Sequence, residues 1–248
     1  MNRILVIGGS RGIGAGIALR FLNNGDRVLV TSRNPKVFAE SLPSELSHRA
    51  SNLQVISQNF EEPNAAREFI KKLERIGFSP NILIFAIGGP VQHKTLNPDD
   101  YRSAMQLNFH APVDLTLGLL PRLETEPWAR VIFIGSLATK SGVAELPYIT
   151  AKASLISFVK FLSHKIGKNY VNVVPIALSL GPIDVEGKGL NRLSKQDPSG
   201  LEIWLEKNRI AAGRLGTIAE VSELVFMLSS EYSAFMHGSN VEIDGGGH

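Results

Sequence analysis

Short apolar runs rich in Val and Ile alternate along the chain with longer stretches in which apolar positions recur at helical spacing. The short runs are Arg3–Ile7, Arg27–Thr31, Leu53–Ser57, Ile82–Ala86, Val131–Gly135, Val171–Leu178 and Asn240–Ile243, and they predict strands. Most are apolar through their whole length, as strands covered on both faces are, so the sheet they form is mostly parallel. The longer stretches predict helices at about 12–24, 36–48, 62–76, 99–124, 148–167 and 217–229. Asn97-Pro98-Asp99-Asp100 reads as a capped helix start with acids near the positive helix end, and Glu61-Glu62-Pro63 reads as another. This alternation predicts the α/β class: one doubly wound, mostly parallel seven-stranded sheet with helices on both faces. The polar stretch from Asp184 to Pro198, with Gly187 and Gly189, breaks the rhythm. It predicts an irregular lid, within about 184–210, at the carboxyl edge of the sheet where open α/β folds bind ligands.

Composition narrows the options. The chain has 248 residues, of which 44% are hydrophobic and 20% charged, which suits a single globular domain over 1–248. A net charge of +3 with no long Lys/Arg block gives no reason to expect a nucleic-acid partner. The absence of cysteine excludes disulfides, thiol nucleophiles and Cys-ligated metals, and fits a cytoplasmic location. Apolar runs such as Ile82–Ile87 and Val173–Leu180 fall far short of the roughly 20 residues of a membrane span, so no membrane partner is expected. Met1-Asn2-Arg3 leads straight into the first strand, so no secretory leader is expected.

Gly8-Gly9-Ser10-Arg11-Gly12-Ile13-Gly14 lies between the first strand and the first helix. Glycine there lets the backbone approach a pyrophosphate, and the helix N-terminus supplies N–H donors and positive potential. This makes Gly8, Ser10, Arg11, Gly12, Ile13 and Gly14 candidate dinucleotide ligands. The second strand ends Val30-Thr31-Ser32-Arg33, with no carboxylate to hold a ribose 2′-hydroxyl. Arg33 beside Ser32, and Arg11 in the glycine loop, suit a 2′-phosphate instead, so the expected cofactor is NADP(H). A hydrogen bond to a charged group is worth ~1.5–3 kcal/mol, enough for roughly tenfold preference.

Tyr148 and Lys152 stand one helical turn apart and share a face. A free phenol has a pKa near ~10, and a neighbouring ammonium favours its ionised form. Ser136, at the end of the fifth strand, comes to the same sheet edge with a hydroxyl able to hydrogen-bond a carbonyl. With these residues in place the sequence resembles the short-chain dehydrogenase/reductase family over nearly its whole length. GGSRGIG at Gly8–Gly14, Asn108, Ser136, Tyr148 and Lys152 carry the resemblance, joined by Gly213-Arg214-Leu215-Gly216 and Ile243-Asp244-Gly245-Gly246-Gly247. It implies a single-domain Rossmann fold. It implies further that Tyr148 donates a proton to a carbonyl oxygen and Ser136 polarises that carbonyl. Lys152 would lower the tyrosine pKa and hold the nicotinamide ribose, and Asn108 would anchor a water in the proton relay. Asn59, Phe60, Ala86, Gly88, Gly181 and Ile183 would line the rest of the cofactor site. The family's N-N-A-G reads Ala86-Ile87-Gly88 after Phe85, its P-G reads Leu180-Gly181, and Asn59 replaces an adenine-contacting aspartate.

The expected activity is therefore NADP(H)-linked interconversion of a ketone and a secondary alcohol, with a small-molecule substrate. A cofactor-sensing regulator is the alternative; it would explain the altered loops, but not why four reacting groups are present. A purely structural or interaction role has only the mixed surface in its favour. Within the family the tail is most similar to 3-oxoacyl-[acyl-carrier-protein] reductases, against sugar or secondary-metabolite ketoreductases. The acidic run Glu124-Thr125-Glu126-Pro127-Trp128 argues against an acidic carrier protein. His93 and the lid cations Lys188, Arg192 and Lys195 read first as solvated surface, with substrate contact as the second reading. His110 reads as a helix residue. The resemblance implies a homotetramer or homodimer built on helices 99–124 and 148–167 and the last strand, with Leu115, Leu119, Phe158 and Phe161 as core or interface.

Overall fold

The computed structural model describes residues 1–35, 38, 42–89, 97–142 and 144–247. Seven strands form one sheet: β1 (Arg3–Ile7), β2 (Arg27–Ser32), β3 (Leu53–Ser57), β4 (Ile82–Phe85), β5 (Ala129–Ser136), β6 (Val173–Leu180) and β7 (Asn240–Ile243). Their order is β3-β2-β1-β4-β5-β6-β7 and every pairing is parallel. Register pairs Leu5 with Leu29 on one side and Leu83 on the other, so apolar side chains of neighbouring strands stack in rows. Strand order reverses between β1 and β4, which opens a crevice at the carboxyl ends of those strands. Pro175 lies within β6, but β7 pairs only from Ala177 onward, so its missing N–H breaks no ladder bond.

Alternate residues of each strand feed two separate cores. Leu5, Ile7, Leu83, Phe85, Val131 and Phe133 pack beneath α2 (Ala65–Arg75), α4 (Ala111–Leu123) and α6 (Leu146–Ile166). Ile4, Val6, Ile82, Ile84 and Ile132 pack beneath α1 (Gly12–Asn23) and α9 (Ile218–Leu228). Burying each such side chain contributes about 1.5–3 kcal/mol, so the two-faced sheet is the main source of stability.

Four expectations are corrected. The helix expected over 99–124 is divided into α3 (Pro98–Met105), a π-helical segment Gln106–His110, and α4. Pro112 has no N–H to give to the carbonyl four residues back, and the Ala111 N–H reaches Gln106 instead, widening the turn. Within the stretch expected to be helical at 36–48, Phe38 is helical, but the chain from Ser44 to Asn52 forms a separate 3₁₀ helix that begins after Pro43. The helix start expected at Glu61-Glu62-Pro63 lies later, at Ala65. The lid expected to be irregular contains α7 (Gly189–Gln196) and α8 (Pro198–Lys207), joined at Asp197, whose carboxylate accepts from the Gly200 N–H at 2.9 Å. Its sparse apolar residues, Leu190, Leu201, Trp204 and Leu205, gather with Ile210 and Leu215 into a small core of their own. Another helix, α5 (Ala138–Ser141), is a single turn after β5.

Candidate active site

A cleft of about 860 Å³ opens where the strand order reverses. At one end lies the glycine loop. Gly8 has a φ of +81°, and a Cβ on it would sit 2.8 Å from the Ile87 Cα, so only glycine fits between β1 and the chain after β4. Its N–H donates to the Thr31 hydroxyl at 2.9 Å, which fixes the loop to the end of β2. Arg11 precedes α1 in extended conformation and no side chain caps that helix, while Gly12, Ile13 and Gly14 line the cleft. An uncapped helix N-terminus with its first residues on a cleft wall fits an anionic pyrophosphate.

The polar groups stand at the other end. Ser136 ends β5 and its hydroxyl accepts from the Ala138 N–H at 3.2 Å and bonds the Tyr148 phenol. Tyr148 lies in the first turn of α6, just after Pro147, and Lys152 follows one turn later. Lys152 is buried, donates to the Ile134 carbonyl at 2.9 Å, and sits 5.9 Å from the centre of the Tyr148 ring. Burial lowers its pKa to about 8. Burial also pushes the Tyr148 phenol above its ordinary value; the Ser136 hydrogen bond works against this and the Glu145 carboxylate adds to it. The lowering of the phenol expected from Lys152 is thus not the net direction in this structure.

Asn108 lies on the π segment, fully buried behind the cleft wall. Its amide accepts from the Gly89 N–H at 3.1 Å and donates to the Ala104 carbonyl at 3.0 Å. A Cβ on Gly88 would collide with the Asn108 Oδ1 and come within 3.1 Å of the Lys152 ammonium, so Gly88 keeps the gap between them open. Asn108 therefore holds the loop after β4 and does not itself line the cleft.

Of the residues expected to hold the cofactor, Gly8, Ser10, Arg11, Gly12, Ile13, Gly14, Ser32, Arg33, Asn59, Phe60, Ala86, Gly88, Tyr148, Lys152, Gly181 and Ile183 line the cleft. Phe60 does so while its ring packs edge-on against Phe69, at 5.5 Å between ring centres. Arg33 is not isolated: its guanidinium meets the Glu61 carboxylate at 3.0 Å. Thr31, Glu61 and Val185 also line the cleft and were not singled out from the sequence. Glu61 had read as a helix-start acid, and Val185 as part of a polar loop. His93 lies outside the described residues. His110 borders a smaller, separate cavity with Tyr101 and Arg102. Lys188 reaches the cleft, whereas Lys195 is paired with Glu186 at 2.8 Å. The acidic run 124–128 precedes β5 and so lies at the amino edge of the sheet, opposite the cleft, with Glu126 held by Arg3. It carries no argument against a carrier-protein substrate.

The family model described as enoyl-(acyl carrier protein) reductase matches residues 7–248. The chain belongs to the short-chain dehydrogenase/reductase family. A short-chain dehydrogenase/reductase from a Cladobotryum species, FrzI, is 29% identical over 250 residues, spanning 98% of this chain and 94% of that one. The rhamnolipids biosynthesis 3-oxoacyl-[acyl-carrier-protein] reductase of Pseudomonas aeruginosa is 29% identical over 252 residues, spanning 98% and 95%. A 3-oxoacyl (acyl-carrier-protein) reductase structure from Agrobacterium tumefaciens, with NADP bound, superposes with a TM-score of 0.84 at 26% identity, covering 98% of this chain and 93% of that one. Membership makes this chain one of a family of oxidoreductases that use nicotinamide cofactors. No described helix is long and apolar enough to cross a membrane.

Proposed function

We propose that this short-chain dehydrogenase/reductase is an NADP(H)-dependent ketoreductase, or in reverse an alcohol dehydrogenase, with Tyr148 as its acid and base. The observation that carries this reading is the Ser136–Tyr148–Lys152 group, with Lys152 buried and the other two partly so, at one end of a cleft whose other end is the glycine loop. The cofactor, when bound, supplies or accepts the hydride. Tyr148 gives its phenolic proton to the carbonyl oxygen as that oxygen becomes an alcohol. Ser136 donates to the same oxygen and fixes its position. Lys152 holds the cofactor ribose and, still largely charged at neutral pH, favours the phenolate left behind. Asn108 keeps the Gly88-Gly89 wall in place, and the 184–210 segment serves as the substrate lid. NADP(H) is favoured by Arg11 and Arg33 on the cleft wall and by the lack of a carboxylate at the end of β2. The substrate is a ketone or secondary alcohol, and the protein assembles as a homo-oligomer.

The test is oxidation of NADPH and NADH with 3-oxoacyl thioesters, ketoses and small ketones, for the wild type and Tyr148→Phe. NADPH-linked turnover that vanishes in the variant supports the proposal. Tight NADPH binding without turnover on any of these substrates would overturn it in favour of a sensing role. A preference for NADH would overturn the roles given to Arg11 and Arg33.

A further inference from the structure

Two carboxylates stand among the residues lining the cleft, and they differ in their surroundings. Glu186 is bound to Lys195 within the lid, where its charge is answered locally. Glu61 instead crosses from the end of β3 to Arg33 at the end of β2, the very guanidinium suited to a 2′-phosphate. We propose that Glu61 sets how strongly the site discriminates NADP(H) from NAD(H), by competing with the 2′-phosphate for Arg33. The inference rests on the NADP(H) reading above and adds a specificity-determining residue to it.

The loop that carries Glu61 is held in place on the cleft rim. The Glu61 N–H donates to the Asn59 Oδ1 at 3.2 Å, and the Asn59 amide reaches back to the carboxylate at 3.5 Å. From the other side Gln106 donates to the carbonyls of Phe60 and Glu62, each at 3.3 Å, tying this loop to the π segment. A phosphate drawn to Arg33 arrives beside this carboxylate. Either Arg33 changes partner or two anions share one cation, and both outcomes weaken phosphate binding. A ribose with a free 2′-hydroxyl meets no such opposition: the ion pair stays intact and the carboxylate accepts a hydrogen bond from the hydroxyl. Glu61 thus lowers affinity for NADP(H) selectively and leaves NAD(H) admissible. Both side chains are about half exposed, so solvent screening keeps the effect moderate.

The experiment measures binding of NADPH, NADH, adenosine 2′,5′-bisphosphate and 5′-AMP by calorimetry. It uses the full-length wild type, Glu61→Gln and Arg33→Gln. Glu61→Gln keeps the side-chain volume and its hydrogen-bonding atoms while removing the charge. The expected result is that it tightens NADPH and the 2′,5′-bisphosphate by roughly three- to tenfold, changes NADH and 5′-AMP by less than about twofold, and loses its advantage as salt is raised. Unchanged or weaker NADPH binding in Glu61→Gln, with Arg33→Gln weakening NADPH, overturns the role of Glu61 and leaves the NADP(H) reading standing. NADPH binding unaffected by Arg33→Gln overturns the roles of both Glu61 and Arg33, and a wild-type preference for NADH overturns the NADP(H) reading itself.

Discussion

A phenol can donate a proton only while it holds one, and Tyr148, its pKa raised by burial above the ordinary phenol value of ~10, holds its proton at neutral pH. Tyr148→Phe removes that proton and little else, so turnover is expected to fall by ~10²–10⁴-fold. The thermal midpoint should stay close to that of the wild type, which steady-state kinetics and a melting curve will check together. Lys152 makes a different prediction. Its pKa is lowered by burial from 10.5 to about 8, so between those values the unfolded chain binds a proton that the folded chain has released. Stability contributed by this group therefore rises with pH through that window: below pH 8 the cost of burying the ammonium is felt in full, and above pH 10.5 it is gone. The wild type should gain about 3 kcal/mol on Lys152→Met between pH 7 and pH 10.5 in urea unfolding. Parallel pH profiles for the two proteins would show that the lysine is not desolvated in this way. These residues were legible because their chemistry sits in local spacing, as in the glycine loop or the one-turn separation of Tyr148 and Lys152. The Arg33–Glu61 pair joins positions 28 apart at the ends of neighbouring strands, and no local pattern marks it.

At the scale of elements, the division between α3 and α4 matters most to the site. The π segment carries Asn108, and Asn108 holds both polar groups of Gly89. Pro112→Ala restores a donor for the carbonyl four residues back and favours an ordinary helix through the segment. That would turn Asn108 away from Gly89 and loosen the wall beside Lys152. Turnover is expected to drop by ~10–10²-fold, the size of effect that misplacement by about an ångström produces. The melting temperature should hold or rise, because a helix-breaking residue has gone. Equal activity in Pro112→Ala would show that the widened turn is not needed to position Asn108. Apolar spacing could not reveal this division, since a π segment inserts one residue into a helix without disturbing the apolar character of its neighbours. The helices of the 184–210 segment escaped for another reason. Their apolar faces are narrow, and Gly187, Gly189 and Pro198 read as breaks, although Pro198 sits in the first turn of α8, where its missing N–H costs nothing.

For the whole molecule, the sheet was legible because a strand buried on both faces must be apolar throughout, and five of the seven are nearly so. What lies outside the sheet was less legible, because one apolar helix face looks the same whether it meets the protein's own core or another copy. Leu115 and Leu119 prove to be fully buried in the core, and Phe158 packs on it, whereas Phe161 is 68% exposed. On the same layer Leu117 of α4 and Leu146 of α6 are also exposed, and beyond α9 Tyr232 and Phe235 lie almost wholly in solvent. Single exposed apolar residues are ordinary, but the large ones on the α4–α6 layer and again before β7 are where the proposed homo-oligomer would make its contacts. In light scattering after size exclusion, the wild type is expected at two or four times the 27.0 kDa chain mass. Phe161→Asp and Phe235→Asp each place a charge on one of these surfaces while leaving both cores untouched, so each should reduce the mass or halve it. A charge that breaks a dimer of dimers leaves dimers, and both charges together leave monomers. A wild type that runs as a monomer at micromolar concentration would refute the oligomer, and the exposed phenylalanines would then need another partner.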